Sequence, residues 1–417
     1  MITSERFKGK RYGVLGRGKA GRAAIASLKA SGAELHVWDD SAYESGDVHF
    51  DEWPWKELDG IVLSPGIPYT HPSPHPVVRL AQQNKVEILG DVEMLYRARP
   101  DARYIGITGT NGKSTTTALI GHILQEAGMK VQVGGNLGVP ALALEEADIY
   151  VLEMSSYQLD LVRSTHFDVA VWLNISPDHL DRHGDLQGYI KAKQHIFDRM
   201  DKTDLAVIGV DDAHSKEVAK HCPAQVMAIS AQDKIGKKLA DARALQGEHN
   251  HQNAAAAFAV CHALGVSEVV ILDAMHSFPG LPHRMQFIAE IDGVTYINDS
   301  KATNAEAAEK SLRSFQNIYW LAGGVAKEGG IEMLRPYYPR IQKAYLFGQA
   351  KSAFALTLGK DLPHAQFETM DDAFAAAKQD AEGNRGVVLL APACASFDQF
   401  SNFEERGEVF ERLVKSE

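Results

Sequence analysis

The chain opens with short apolar runs separated by stretches of helical spacing. Arg11-Tyr12-Gly13-Val14-Leu15-Gly16 reads as a strand entering a glycine turn. Glu34-Leu35-His36-Val37-Trp38-Asp39-Asp40 and Gly60-Ile61-Val62-Leu63-Ser64-Pro65-Gly66 read as further strands that end in polar or small residues. The alternation resumes at Arg103-Tyr104-Ile105-Gly106-Ile107-Thr108 and runs to the Pro/Gly-rich stretch Phe278-Pro279-Gly280-Leu281-Pro282, which reads as a linker. A third block carries Val294-Thr295-Tyr296-Ile297, Ile318-Tyr319-Trp320-Leu321-Ala322, Ala344-Tyr345-Leu346-Phe347 and Val387-Val388-Leu389-Leu390-Ala391. Strands alternating with helices predict an α/β protein with mostly parallel sheets.

Composition narrows the class. At 417 residues and 45% hydrophobic, the chain can bury several ordinary cores without staples. A net charge of −11 argues against a general nucleic-acid or anionic-membrane binder. Cys222, Cys261 and Cys394 are scattered, with no metal spacing and no disulfide framework, so a reducing, cytoplasmic setting is expected. The start, residues 1–10, is polar with no apolar run, so no signal peptide is expected. No apolar run approaches the ~18 residues of a membrane span, so no membrane insertion is expected.

Two glycine-rich loops carry the chemistry. Gly16, Gly18 and Gly21 follow a strand and precede a helix expected over 22–30, a turn that delivers a phosphate to a helix N-terminus. Asp39 and Asp40 end the next strand, where a ribose hydroxyl can bind. On this loop alone, a nicotinamide dinucleotide, another nucleotide and a structural turn all remain open. The second loop is more specific. A strand over 104–107 feeds Thr108-Gly109-Thr110-Asn111-Gly112, and Lys113-Ser114-Thr115-Thr116-Thr117 opens a helix. Backbone N–H groups there cradle phosphates, Lys113 supplies positive charge, and the Ser114 hydroxyl suits Mg²⁺. Ile107 stands where the strict P-loop spacing has its first glycine.

A phosphate loop needs a partner acid at a strand end. Glu153 closes Asp148-Ile149-Tyr150-Val151-Leu152, and it equally suits the helix N-terminus after it. The next strand, 169–173, leads into Asn174-Ile175-Ser176-Pro177-Asp178-His179-Leu180-Asp181-Arg182-His183, a loop of acids and imidazoles where α/β enzymes build sites. Lys191 and Lys193 lie on the next amphipathic helix, and spacing alone does not choose between them.

Taken in order, these motifs resemble the Mur ligase family over essentially the whole chain. The resemblance rests on Thr108-Gly109-Thr110-Asn111-Gly112-Lys113-Ser114, Gly134-Gly135-Asn136-Leu137-Gly138 and Leu152-Glu153-Met154-Ser155-Ser156-Tyr157-Gln158. It continues through Asp178-His179-Leu180-Asp181-Arg182-His183, Glu248-His249-Asn250-His251-Gln252-Asn253 and Leu281-Pro282-His283-Arg284. It ends with Asn298-Asp299-Ser300-Lys301-Ala302-Thr303-Asn304 and Pro392-Ala393-Cys394-Ala395-Ser396-Phe397-Asp398-Gln399-Phe400.

The resemblance implies three domains. These are a Rossmann-like UDP-substrate domain over 1–95, a central P-loop ATPase-type domain over 96–280 and a Rossmann-like amino-acid domain over 281–417. It implies an ATP-dependent ligase of peptidoglycan synthesis, and thus of cell-wall biogenesis, cell shape and division. The 298–304 motif favours the members that add glutamate to UDP-N-acetylmuramoyl-L-alanine, and the Asn-Pro-Arg element of the diamino-acid enzymes is absent. The implied cofactors are ATP, Mg²⁺ at two sites and a CO₂-derived carbamate on Lys193. The chain is expected to act as a monomer.

By the same resemblance, Lys113, His179 and Lys193 are the catalytic candidates. Thr110, Asn111, Gly112, Lys113, Ser114, Thr115, Thr116, Asn253, Arg284 and Asp299 are expected to bind ATP. Leu15, Gly16, Asp39, Gly66, Asn136 and His179 are expected on the UDP substrate. Ser114, Glu153, His179 and Lys193 are expected on metal. Lys301, Thr303, Lys327, Ser396 and Phe403 are expected to form the amino-acid pocket, with packing an equal role for Phe403. The Gly16-Arg17-Gly18 turn is more basic than the family pattern. Two other readings stay open: an NAD(P)-dependent dehydrogenase built on Gly16, Gly18 and Gly21, and a P-loop regulatory NTPase.

Overall fold

The computed structural model describes residues 1–239, 241–245, 248–327 and 329–416, except the side chains of Arg243, Glu248 and His249. The first two side chains of the 248–253 motif therefore lie outside the described residues. The chain divides into two compact units, Met1–Phe278 and Pro279–Glu417.

The first unit holds two parallel sheets. β1 (Arg11–Leu15), β2 (Glu34–Trp38), β3 (Gly60–Leu63) and β4 (Ile88–Leu89) lie in the order β2-β1-β3-β4. β1 turns at Gly16 into the helix Lys19–Ala30, which starts one turn earlier than the sequence suggested because Gly18 is an extended N-cap. Gly21 has no room for a side chain, since a Cβ would sit 1.9 Å from the Gly16 carbonyl oxygen.

The second sheet contains β5 (Arg103–Thr108), β6 (Val131–Gly135), β7 (Ile149–Glu153), β8 (Val169–Trp172), β9 (Leu205–Gly209) and β10 (Gln225–Ile229). Their order is β10-β9-β8-β5-β7-β6. β7 and β8 are buried at every position, which is why they read as continuous apolar runs. β5 lies between them, paired Ile107 to Glu153 on one side and Thr108 to Trp172 on the other. The chain switches direction across the sheet here, so the carboxyl ends of β5, β7 and β8 share one crevice. On one face the helix Lys113–Glu126 packs against Glu248–Ala263, whose Ala254, Ala255, Ala256 and Ala257 are all buried and allow a close approach.

The second unit is a single sheet. β11 (Gln286–Ile291), β12 (Val294–Asn298), β13 (Ile318–Gly323), β14 (Ile341–Phe347), β15 (His364–Gln366) and β16 (Val387–Leu390) lie in the order β11-β12-β16-β13-β14-β15. All pairs are parallel except β11 with β12, a hairpin closed by Asp292-Gly293, both at positive φ. Three mostly parallel α/β domains, as expected, make up the protein. Among the described residues no helix is long and apolar enough to cross a membrane.

Candidate active site

The phosphate loop spans the gap between β5 and the helix Lys113–Glu126. Gly109 and Gly112 take φ of +152° and +84°, conformations that favour glycine, and Gly112 is the N-cap. The exit of β8 braces the loop. The N–H of Thr110 donates to the Asn174 carbonyl, and the N–H of Asn111 to Asn174 Oδ1, both at 2.9 Å. Lys113 Nζ folds back onto the Gly109 and Thr110 carbonyls, each at 2.9 Å. Ser114 and Thr115 are half-buried in the first turn. Thr116 is buried and donates to Asn253 Oδ1 at 3.2 Å, and Asn253 Nδ2 donates to Asn250. Asn253, expected on the adenine side, is thus nearly buried and engaged within the protein.

Beside the loop, Glu153 ends β7 buried. Its Oε1 accepts from Asn136 Nδ2 at 2.6 Å, while its Oε2 is buried with no partner among the described residues. An orphaned carboxylate oxygen in a crevice is costly unless something fills it. A hard cation fits that oxygen, and the Ser114 hydroxyl stands in the first turn of the helix that follows the neighbouring β5. Among the described residues no three His, Cys, Asp or Glu side chains converge as a ready-made metal cluster.

The structure separates Lys193 from Lys191. Lys191 is exposed, whereas Lys193 is 1% exposed and donates to the Gly109 carbonyl at 2.9 Å and Thr108 Oγ1 at 3.3 Å. Burial, and then the neighbouring Lys113 charge, pushes its ammonium well below the usual lysine range, against the pull of Asp178 and Glu153. Its Nζ lies 4.7 Å over the Tyr189 ring, and Tyr189 also meets Thr110 through its hydroxyl. His179 caps the short helix Leu180–His183 with φ +52°, a left-handed conformation that a non-glycine residue adopts at a cost. Its ring is half exposed and lies 5.1 Å from Tyr157. His183, four residues on, is buried, and its Nε2 lies 2.9 Å from Ser156 Oγ. Burial, then the His179, Lys193, Arg182 and His71 charges, lowers its pKa to about 4.

A second concavity lies at the end of β1, a groove of about 360 Å³ walled by Gly16, Gly18, Lys19, Ala20, Asp39, Asp40, Ser41, Ser64, Pro65, Gly66 and Ile67. Gly16, Asp39 and Gly66 fall on it as a group. Leu15 does not: its side chain is fully buried among Trp53, Trp55 and Leu63, because a strand covered on both faces sends every side chain to core. Lys19 and Ala20, just past the turn, stand at the wall instead, and only the loop-to-helix boundary could have pointed to them. Burial opposes ionisation of Asp39, but hydrogen bonds from Ser41, Arg17 and Ala42 hold its carboxyl below the usual range. The basic Arg17 does not line the groove. Its guanidinium is nearly buried and paired with Glu44 at 3.0 Å and with Asp47.

In the second unit, the amino-acid candidates fall on segments tied to one another. Lys301 Nζ lies 4.7 Å over the Phe403 ring. Val325 and Ala395 form a bridge that brings the stretch bearing the exposed Lys327 beside Ser396. Thr303 is half-buried, its N–H on the Lys301 carbonyl. Arg406, fully buried, donates from Nε to Ser300 Oγ and from Nη2 to the Ser300 and Cys394 carbonyls. Ser300 Oγ in turn donates to the Phe403 carbonyl. Arg284 is exposed. Asp299 is nearly buried, accepting from the Met285 N–H and Ser311 Oγ. Burial raises its carboxyl pKa.

Two family models match the chain: the Mur ligase middle domain over residues 107–261 and the Mur ligase, glutamate ligase domain over residues 283–394. The UDP-N-acetylmuramoylalanine--D-glutamate ligase of Rhodospirillum rubrum is 46% identical, covering 99% of this chain and 96% of that protein. The enzyme of the same name from Caulobacter vibrioides is 44% identical, covering 99% and 97%. Among solved structures, UDP-N-acetylmuramate-alanine ligase MurC from Thermotoga maritima matches with a TM-score of 0.58 at 16% identity, over 98% of this chain and all of that one, a likeness of fold.

Proposed function

The chain belongs to the Mur ligase family, and we propose that it is the ATP-dependent ligase that joins D-glutamate to UDP-N-acetylmuramoyl-L-alanine in peptidoglycan precursor synthesis. The relatives' names support the substrates and the chirality of the amino acid, which the residues alone do not. Neither a dehydrogenase nor a regulatory NTPase is favoured by these relatives. The observation that carries the reading is the crevice at β5, β7 and β8. There Lys113 and Lys193 converge on one carbonyl, Gly109, beside the orphaned oxygen of Glu153.

The γ-phosphoryl group of ATP passes to the substrate carboxylate, forming an acyl phosphate and releasing ADP. The glutamate amine attacks the acyl carbon, phosphate leaves, and the amine loses a proton to give the amide. Such transfer needs positioning and charge neutralisation more than covalent help. Thr110, Asn111, Gly112, Lys113, Ser114, Thr115 and Thr116 would hold the phosphates. Lys113 leaves the Gly109 and Thr110 carbonyls to do so. Asn253, Arg284 and Asp299 would serve the rest of the nucleotide.

Magnesium would neutralise phosphate charge at two sites, one at Ser114 and Glu153, the other at His179 and a carbamate on Lys193. The weakened basicity of Lys193 suits that carbamate: an uncharged amine adds to CO₂ and releases a proton. The groove with Gly16, Asp39 and Gly66 would take the uridine diphosphate, and Asn136 and His179 the muramoyl side. Lys301, Thr303, Lys327, Ser396 and Phe403 would hold glutamate, two cations for two carboxylates. A monomeric cytoplasmic enzyme serving the cell wall and division fits this role.

Phosphate release by the purified chain tests the reading. It should require ATP, the nucleotide substrate and D-glutamate together, and stop when EDTA removes Mg²⁺. Stimulation by alanine or a diamino acid in place of glutamate would overturn the substrate assignment.

A further inference from the structure

We propose that Arg182 is a positioning residue for nucleotide binding, holding the wall of the β1 groove from the same turn that carries His179. The proposal rests on the reading of that groove as the uridine diphosphate site.

Arg182 reaches out of the second sheet's domain to the first. Its Nη1 donates to the Gly66 carbonyl at 2.9 Å and its Nη2 to the Ile67 carbonyl at 3.1 Å. Gly66 and Ile67 are groove wall. They close a turn in which the Ile67 N–H donates to the Ser64 carbonyl, and the Ser64 N–H is fixed to the Leu15 carbonyl at the end of β1. The Ser64 hydroxyl is buried in this wall with no partner among the described residues. A shift of the 64–67 turn therefore moves both the groove and the Ser64 hydroxyl in its wall.

The guanidinium is held at its other face. It lies 4.4 Å over the ring of Tyr157, on the helix just after Glu153. Among the described residues no carboxylate comes within 4.0 Å of it. A permanent cation here is spent on two neutral carbonyls and an aromatic face. That arrangement uses the planar fork of arginine and is not reproduced by lysine. Neighbouring contacts dock the same segment. A Cβ on Gly184 would meet His71 Nε2 at 3.1 Å, so the turn and residue 71 are already in close contact. Arg163 Nη2 donates to the Tyr69 hydroxyl at 3.2 Å. Arg182 alone of these touches the groove wall itself.

The turn 178–184 thus has two ends. At one, His179 faces Tyr157 and Tyr189 beside the phosphate loop; at the other, Arg182 fixes the nucleotide wall. The geometry ties the placement of the nucleotide to the placement of the reacting end. A residue that served only general stability would affect all three substrates alike.

Steady-state kinetics of full-length Arg182→Ala and Arg182→Lys, with UDP affinity by calorimetry, test this. The alanine variant should raise KM for the nucleotide substrate and Kd for UDP by about tenfold or more, the weight of two lost hydrogen bonds. KM for ATP and for D-glutamate should stay within about twofold, and the lysine variant should fall between. Unchanged UDP affinity, or equal rises in all three KM values, would overturn the role of Arg182. If the alanine variant does not fold, the lysine variant is judged by the same split. Wild-type protein that binds no UDP would instead overturn the reading of the groove, and the proposal with it.

Discussion

Replacing Glu93 by glutamine should destabilise the first unit by about 3 kcal/mol at neutral pH. Glu93 sits on the helix Asp91–Ala98, between the two sheets of that unit, with its side chain fully buried. Its two oxygens accept from the backbone N–H groups of Arg163, Ser164 and Thr165 and from the Ser164 and Thr165 hydroxyls. Arg97 Nε adds a charged donor at 2.7 Å. Burial alone would raise the carboxyl pKa. The hydrogen bonds from Ser164, Arg163, Thr165 and Arg97 outweigh it and bring the pKa from 4.5 to about 2. At about 1.4 kcal/mol for each tenfold, that drop is worth roughly 3 kcal/mol of folding stability. The folded value lies below the unfolded one. The stabilisation is therefore complete above about pH 4.5 and is lost as the pH falls towards 2. Glutamine keeps one acceptor and turns an amide N–H₂ on donors that need an oxygen. Urea unfolding followed by tryptophan fluorescence reads the first unit, since Trp38, Trp53, Trp55 and Trp172 lie there and only Trp320 lies in the second. The gap between wild type and variant should shrink from about 3 kcal/mol at pH 7 to about 2 at pH 3.5. A gap under about 1 kcal/mol at pH 7, or one that does not change with pH, would refute the assignment of that stability to the ionised carboxylate.

Lys193→Ala should lower kcat by at least about a hundredfold, and short carboxylic acids should restore part of it; unaltered turnover would reject the carbamate. Gly21→Ala should lower the melting temperature sharply, because its Cβ would meet the Gly16 carbonyl oxygen at 1.9 Å. Gly18→Ala, with open space and a φ of −61°, should change it little, and equal effects would mean the turn is not packed as described. Asp160 has the opposite sign to Glu93: burial raises its pKa to about 6, against the pull of His195, Arg163 and Arg182. The folded state binds that proton more tightly, so the contribution is full below about pH 4 and lost as the pH rises through 6. Asp160→Asn should therefore gain stability over wild type between pH 5 and pH 8 in urea titrations, and a pH-independent difference would count against it.

The parts of the site legible in the sequence are those whose chemistry is local. Strand, glycines, Lys113, Ser114 and helix succeed one another in the chain, so their backbone geometry is written in one short segment. Lys193 shows a signal present but unused. Tyr189, Ala192, Lys193 and Ile196 recur at spacings of three, four and seven, and all four are buried, whereas Lys191 points away. Helical periodicity alone could have chosen between the two lysines once Tyr189 was placed inside. Leu15 lies off the groove lining for the complementary reason. A strand in a sheet covered on both faces has no outward side, so a groove at its end must be lined by residues beyond the glycine turn, here Gly18, Lys19 and Ala20. Arg182 stands inside the 178–183 motif, but nothing in its spacing assigned it a role. Its partners are carbonyl oxygens 115 and 116 residues away, and carbonyls carry no side-chain identity to read. Glu93 is similar, an acid whose donors, Arg97 apart, lie 70 to 72 residues on, most of them backbone N–H groups. Long-range bonds from side chain to backbone are therefore where this site exceeds its motifs. They hold the domains that the motifs only decorate.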